Sequence, residues 1–214
     1  YRHMASRTSA SSLSVSRASR TPRTSAPNTP VTGRISTHET LATSTPSLDR
    51  GTLDHVTDLT IPRFGELLGP YIARVAPETM PRFLALLERG AADRYRGWAE
   101  QLPEHRAGLM QCAASEDEIA DRIDGAFALD DSLREQLIAP LPEALQTYYD
   151  VFAPLPIWDQ IRIQANAERQ GAAAWRGIAS RHPDPAVIDV LETCSRLAES
   201  SADFLDDLIA SHAT

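Results

Sequence analysis

LERGAADRYRGWA at residues 87–99 recurs as AERQGAAAWRGIA at residues 167–179. Both copies carry Glu, Arg, Ala, Arg, Gly and Ala at matching places, and in both an aromatic residue follows the Glu by seven positions. Apolar residues spaced by three, four and seven positions are typical of one face of an α-helix. The repeat therefore predicts two related helices, each with a glutamate on its apolar stripe, Glu88 in the first and Glu168 in the second.

Prolines divide the rest of the chain into helical segments. The joints between the first two and the last two long segments are short, which predicts two pairs of antiparallel neighbours. The stretch at 128–155 joins the pairs and is expected to form a long crossover with two short helices. The segment at 61–76, interrupted by Pro62 and Pro70, is expected to pack on the outside. The four predicted long helices span residues 79–101, 104–127, 157–181 and 185–211.

No segment alternates convincingly like a β-strand, and the one short candidate is VTDLTI at residues 56–61. We therefore predict an all-α protein, a four-helix bundle of two antiparallel hairpins with a long crossover, which is the ferritin-like arrangement. Residues 1–54 are rich in Ser, Thr and Arg, and they hold too few apolar residues to offset the entropy of ordering. We expect a disordered tail there, with a tag remnant in YRHMAS, and the helical domain at 55–214.

Charge and composition exclude several classes of function. Residues 1–50 hold seven Arg against two acids, whereas the remainder holds fourteen Arg against twenty-seven acids. Such an acidic body argues against nucleic acid as its main partner. The chain has no Lys, which excludes lysine Schiff-base and P-loop chemistry. No apolar run is long enough for a membrane span. Two cysteines in a chain of this length indicate a reducing compartment, so we expect a cytoplasmic protein.

A third acid, Glu116, lies on the apolar stripe of the second long helix. Three carboxylates inside a bundle are costly unless they are paired, protonated or bound to metal. One possibility is that an arginine such as Arg122 or Arg162, or a Tyr or Trp donor, satisfies them. Another is that they lie at the edge of the stripe and reach solvent. The third is that Glu88, Glu116 and Glu168 bind a metal ion.

The same residues resemble the rubrerythrin and ferritin-like superfamily. Its first and third helices carry a Glu followed by Ala, Tyr and Ala three, about seven and eleven positions later, as in Glu88, Ala91, Tyr95 and Ala99. Its second and fourth helices carry Glu-x-x-His-Ala. SEDEIADRI fits this pattern through Glu116 and Ala120, but Ile119 stands in place of the histidine. In the last helix the corresponding positions hold Ala198 or Glu199 for the acid, and Ser201 or Ala202 for the histidine.

The resemblance implies a reduced carboxylate metal site at Glu88, Glu116 and Glu168. Such a site would bind iron or manganese and support ferroxidase or non-haem oxidoreductase activity. The missing histidines suggest an alternative, a metal-free ferritin-like scaffold that serves as a binding or cargo module and docks through its N-terminal arm. A homodimer is expected by analogy with the superfamily. His105 and His182 lie near the two hairpin turns and are expected at one end of the bundle, either as exposed loop residues or with a metal site between them.

Overall fold

The computed structural model describes residues 59–212, and the regular structure in this range is entirely helical. This confirms the predicted all-helical class. The prediction of a disordered tail at 1–54, and of a boundary at 55, lies outside the described residues. There are seven α-helices in the described range: α1 Phe64–Ile72, α2 Met80–Gln101, α3 Arg106–Ala126, α4 Asp131–Ile138, α5 Leu141–Phe152, α6 Ile157–Ala179 and α7 Pro185–His212.

Local sequence signals set the ends of these helices. Asp184 caps α7, because its Oδ1 accepts a hydrogen bond of 2.9 Å from the Ala186 amide, and Pro185 occupies the first helical position. Asp130 caps α4 in the same way through the Ser132 amide, at 2.8 Å. The four long helices match the predicted spans to within two residues at every end. The crossover holds the two short helices expected for it, α4 and α5.

Helices α2 and α3 pack side by side, as do α6 and α7, and α3 also packs on α7. Helix α2 faces α6 through long side chains: Trp98 Nε1 donates to Gln160 Oε1 at 2.9 Å, and Tyr95 Oη donates to Glu168 Oε1 at 2.8 Å. These pairs show that α2 and α6 run antiparallel. Since α3 also runs opposite to α2, α3 and α6 run the same way, so the chain between them must cross the length of the molecule.

The faces assigned from periodicity are largely buried, although Leu84 and Glu88 on α2 are only half-buried. On α6, Ile161, Glu168, Ala172, Trp175 and Ala179 are all buried, as are Leu191, Cys194, Ala198, Ser201 and Leu205 on α7. Helix α1 is not one of the four long helices. It packs mainly on the short helix α5 and also contacts α6. Between residues 59 and 212, no helix is long and apolar enough to cross a membrane.

Candidate functional site: a carboxylate centre beside an apolar groove

Glu168 lies at the middle of α6 and is only 4% exposed. Its Oε1 accepts hydrogen bonds from Tyr95 Oη of α2, at 2.8 Å, and from Gln164 Nε2 one turn earlier on α6, at 2.6 Å. Burial raises the pKa of Glu168, while these two donors and the nearby positive charge of Arg94 act to lower it. The tyrosine donor foreseen as one alternative from the sequence is therefore present, and Gln164 joins it.

Arg94 is a buried cation that the sequence did not single out. It is 8% exposed, its Nη1 donates to Gln164 Oε1 at 3.2 Å, and its guanidinium lies 3.9 Å from the ring centre of Phe152. Its Nε and Nη2 are buried without a hydrogen-bond partner. The cation–π contact with the Phe152 ring offsets part of the hydration that the guanidinium loses. The signal that could have revealed it is the aromatic cluster of α5, which faces its side of α2.

The arginines proposed from the sequence as partners of the buried acids lie elsewhere. Arg122 Nη2 pairs with Glu118 at 2.6 Å, and Arg162 Nη1 pairs with Asp159 at 2.9 Å, both on the protein surface. Each arginine meets an acid three or four residues away on its own helix. The prediction that Arg122 or Arg162 pairs with a buried glutamate is therefore wrong, because each arginine pairs instead with an acid on its own helix.

Glu116 on α3 is fully buried. Ser201 Oγ of α7 donates to its Oε1 at 3.1 Å, whereas its Oε2 has no hydrogen-bond partner. Burial raises the pKa of Glu116 well above its usual range, and the neighbouring charges of Glu168 and Glu88 raise it further. Burial and these neighbouring acids therefore favour the neutral form of the Glu116 carboxyl over the charged one.

Glu88 on α2 is half-buried, since one side of it borders an open groove. Desolvation by the apolar groups around it and the charge of Glu168 raise the pKa of Glu88 to about 8. The indole of Trp175 acts to lower that pKa, but its buried Nε1 does not reach hydrogen-bond geometry with any acceptor. A Cβ atom at Gly171 would lie 3.9 Å from Glu88 Oε1, so α6 approaches this carboxyl closely.

Glu88, Glu116 and Glu168, here termed the carboxylate centre, influence one another's protonation, but they do not form a metal-ligand set as they stand. Within residues 59–212, no three His, Cys, Asp or Glu side chains are placed to hold a metal ion. Ile119, at the expected histidine position, is fully buried in apolar packing, and Ser201 is used as a donor to Glu116. Glu199, the other possible acid on α7, pairs with Arg176 at the surface.

The expectation that His105 and His182 share one end of the bundle is wrong. The His105 ring lies 6.3 Å from Trp158 at the start of α6, whereas His182 lies 5.7 Å from Phe127 just after α3. Because α2 and α6 run antiparallel, the two hairpin turns fall at opposite ends of the molecule. A site shared by these two histidines is therefore excluded.

A groove of about 570 Å³ runs beside the carboxylate centre, between α1, α2 and α6. Its wall is formed by apolar side chains such as Phe64, Leu68, Leu84 and Ile178, and by small residues of α6. Among the described residues that line it, only Glu88 and Arg181 have an acidic or basic side chain, and Tyr148 adds a phenol. The sequence did not predict this groove, because it depends on where α1 packs against the long helices.

Comparison of the chain with protein-family models, with curated proteins and with solved structures finds no match. The site itself therefore carries the functional argument. It combines an apolar groove with one acidic side chain in its wall, Glu88, and small-molecule sites commonly have such a lining.

Proposed function

We propose that the protein is a metal-free, ferritin-like binding module that takes up an apolar small molecule in the groove between α1, α2 and α6. The groove is the single observation that carries this proposal. Its volume lies within the range of about 300–1,000 Å³ that is usual for ligand pockets. Its lining is mostly apolar with few polar groups, which suits a ligand held by burial of hydrocarbon and oriented by one or two polar contacts.

The ferritin-like part of the proposal draws support from three features of the chain. The first is the repeated motif, one copy in α2 and the other in α6. The second is the arrangement of the long helices as two antiparallel hairpins. The third is the lengthwise crossover through α4 and α5. A duplicated hairpin joined by one long connection is the ferritin-like topology.

The binding of neutral apolar probes tests the proposed function. We expect Nile red to increase its fluorescence on the full chain, and decanol to displace it. Ala174→Trp should reduce both effects at least tenfold, because Ala174 is an exposed groove residue and a large ring there fills the groove. Ala210→Trp, at an exposed position of α7 outside the groove lining, is the matched control. Equal probe binding by both variants would contradict the proposal.

Metal binding at the carboxylate centre is a second candidate function, favoured by the unpartnered Oε2 of Glu116. Glu88, Glu116 and Glu168 would hold iron or manganese after rearrangement, and the metal would supply redox or Lewis-acid chemistry. Titration calorimetry with Mn(II), and with Fe(II) without oxygen, tests this candidate. Binding that disappears in the Glu88→Ala, Glu168→Ala double variant would support it. No heat of binding in the unaltered chain would exclude it.

The remaining predictions concern residues 1–54 and the assembly. The arm is proposed to dock the module to a protein partner in the cytoplasm, and the module is proposed to form a homodimer. Deleting residues 7–50 should abolish capture of that partner and leave the thermal unfolding of the helical part unchanged. If the chain without residues 7–50 still captures the partner, the arm does not dock the module. Sedimentation of the full chain at several concentrations tests the dimer.

A further inference from the structure

The wall of the groove described above includes an acid, Glu88, that has no counter-ion. Glu88 makes no ion pair with any described residue, and the charge that raises its pKa is that of another acid, Glu168. Arg181, the other charged residue of the lining, lies ten residues beyond Gly171 on the same helix-and-loop segment. At 1.5 Å per helical residue this is roughly 15 Å away along the groove. Arg181 is therefore too distant to neutralise Glu88.

The groups around Glu88 make this end of the groove favourable for a cation. Glu168 on α6 and Glu116 on α3 both interact with it, and both are acids. The charge of Glu88 also raises the pKa of Tyr148 on α5 and of Cys194 on α7, and neither of these side chains carries a positive charge. The side chain of Trp175 contributes only a neutral indole. Among the described cations, Arg94 acts on Glu168 and Tyr148, and Arg122 acts on Cys194.

The rest of the groove suits a hydrocarbon chain. From Glu88 towards Arg181 its walls are formed by residues such as Leu84, Met80, Leu68 and Ile178. Three small residues of α6, Gly171, Ala174 and Gly177, lie in this wall beside the larger Trp175 and Ile178, and they leave a channel along the helix. An unbranched chain fits such a channel better than a wide ring system does.

We propose that the groove binds a primary alkylamine, with its ammonium group on the Glu88 carboxylate and its alkyl chain directed towards Arg181. This inference rests on the proposed function, because it assigns a ligand class to the same groove. An ammonium group supplies three donors to a carboxylate that otherwise has no cationic partner. An anionic amphiphile placed the same way would bring a negative charge beside Glu88 and towards Glu168, and it would find no cation there.

Binding of such a ligand changes the protonation of Glu88 in a measurable way. At pH 7 an alkylamine is protonated, since its pKa is close to that of lysine, about 10.4. Glu88, with a pKa near 8, is then mostly neutral in the free protein. Forming the ammonium–carboxylate pair moves no electrons and breaks only the O–H bond of Glu88. One proton therefore leaves for the solvent for each amine bound, whereas a neutral alcohol releases none.

Titration calorimetry of the full chain with decylamine, decanol and decanoate tests the inference. We expect decylamine to bind at least tenfold more tightly than decanol. Runs at pH 7 in two buffers of different ionisation enthalpy should show release of about one proton with the amine alone. Glu88→Gln should abolish both the preference for decylamine over decanol and the proton release. Glu192→Gln, an exposed acid of α7, is the matched control.

The possible results separate the inference from the proposed function. Equal affinity for decylamine and decanol, or a preference that survives in Glu88→Gln, would overturn the alkylamine assignment and leave the apolar groove as a binding site. If decanoate binds more tightly than decylamine, its carboxylate lies at Arg181, and the alkylamine assignment is overturned as well. No binding of any of the three would overturn the proposed function as well. Proton release is measured on the unaltered chain, so the test does not depend on the folding of a variant.

Discussion

Tyr95 of α2 and Glu168 of α6 are joined by a hydrogen bond of 2.8 Å in the buried middle of the molecule. Tyr95 follows Glu88 by seven positions in the first copy of the repeat, and Glu168 is the acid of the second copy. The aromatic residue of one copy thus satisfies the acid of the other. The reverse pair does not form, because the Trp175 indole does not reach hydrogen-bond geometry with Glu88. This asymmetry leaves Glu88 free to face the groove.

Tyr95→Phe should destabilise the protein by about 1–3 kcal/mol, because it removes a buried donor from a carboxyl that cannot be rehydrated. The pKa of Glu168 should rise further, since this hydrogen bond is one of the interactions that lower it. Urea unfolding at pH 7 and pH 5 measures both effects, and the loss of stability should be smaller at pH 5.

Tyr149→Phe provides the control for that change. Tyr149 is 36% exposed, and its hydroxyl makes only a long hydrogen bond, of 3.3 Å, to the Gly90 carbonyl. Its loss should cost less than about 1 kcal/mol. Equal effects of the two variants would show that the hydroxyl of Tyr95 contributes nothing specific to Glu168.

The carboxylate centre should make the protein less stable as pH rises. The pKa of Glu116 is raised on folding, so the folded state binds more protons than the unfolded state. Its contribution is complete below the unfolded pKa of about 4.5 and is lost as pH rises towards the folded pKa. Glu116→Gln should therefore raise the melting temperature at pH 8, and the gain should shrink towards pH 5. A gain of about 1 kcal/mol corresponds to about 2–4 °C in a domain of this size.

Thermal melts of Glu116→Gln and Glu192→Gln between pH 5 and pH 8 measure this effect. Glu192 is exposed on α7, so its replacement should leave the pH profile unchanged. A Glu116→Gln variant that is less stable than the parent at every pH would mean that the Glu116 carboxylate is charged and favourably partnered.

The fold could be predicted well from sequence because its determinants are local. Prolines and Asp184 define the helix ends, and the 3.6-residue period places Glu116 and Glu168 on buried faces. Among residues 115–118, Glu116 and Ser115 are buried while Asp117 is half-buried and Glu118 exposed, as the same period requires for the acids. The short joints were enough to predict the antiparallel pairs.

The candidate site could be predicted only in part, because it depends on contacts between distant segments. Gln164 and Arg94 are polar residues whose role appears only when α2, α5 and α6 are brought together. The groove depends on the packing of α1, which periodicity does not specify. The prediction for the two histidines is wrong because the crossover sets α6 antiparallel to α2, and this places the two hairpin turns at opposite ends of the molecule.

Close packing of α3 on α7 at Gly108 gives a third prediction. A Cβ atom at Gly108 would lie 2.2 Å from the ring of Phe204, so Gly108→Ala forces the ring to move. We expect a net loss of about 1–2 kcal/mol, because the cost of overpacking exceeds the helix propensity gained. Gly97, with nothing within 4 Å of a Cβ position, is the matched control. Gly97→Ala should stabilise α2 by about 0.5–1 kcal/mol.

A double variant checks the cause of that loss. In a Phe204→Leu background the ring is absent, so Gly108→Ala should cost much less than in the parent chain. Urea unfolding of the four chains of this cycle gives the coupling. Additive effects would show that the contact with Phe204 is not the source of the instability.

Cys112 and Cys194 should resist thiol reagents as long as the protein is folded. Both are buried, and burial raises the pKa of each thiol to about 12. The thiolate is the reactive form, so at pH 8 almost none is present in the folded state, whereas an unfolded cysteine with a pKa near 8.5 reacts readily. Labelling with Ellman's reagent should therefore be slow in buffer. It should consume two thiols rapidly once about 6 M guanidinium chloride has unfolded the chain. Rapid labelling of the native chain would show that α3 or α7 opens locally, or that one thiol belongs to an accessible redox site.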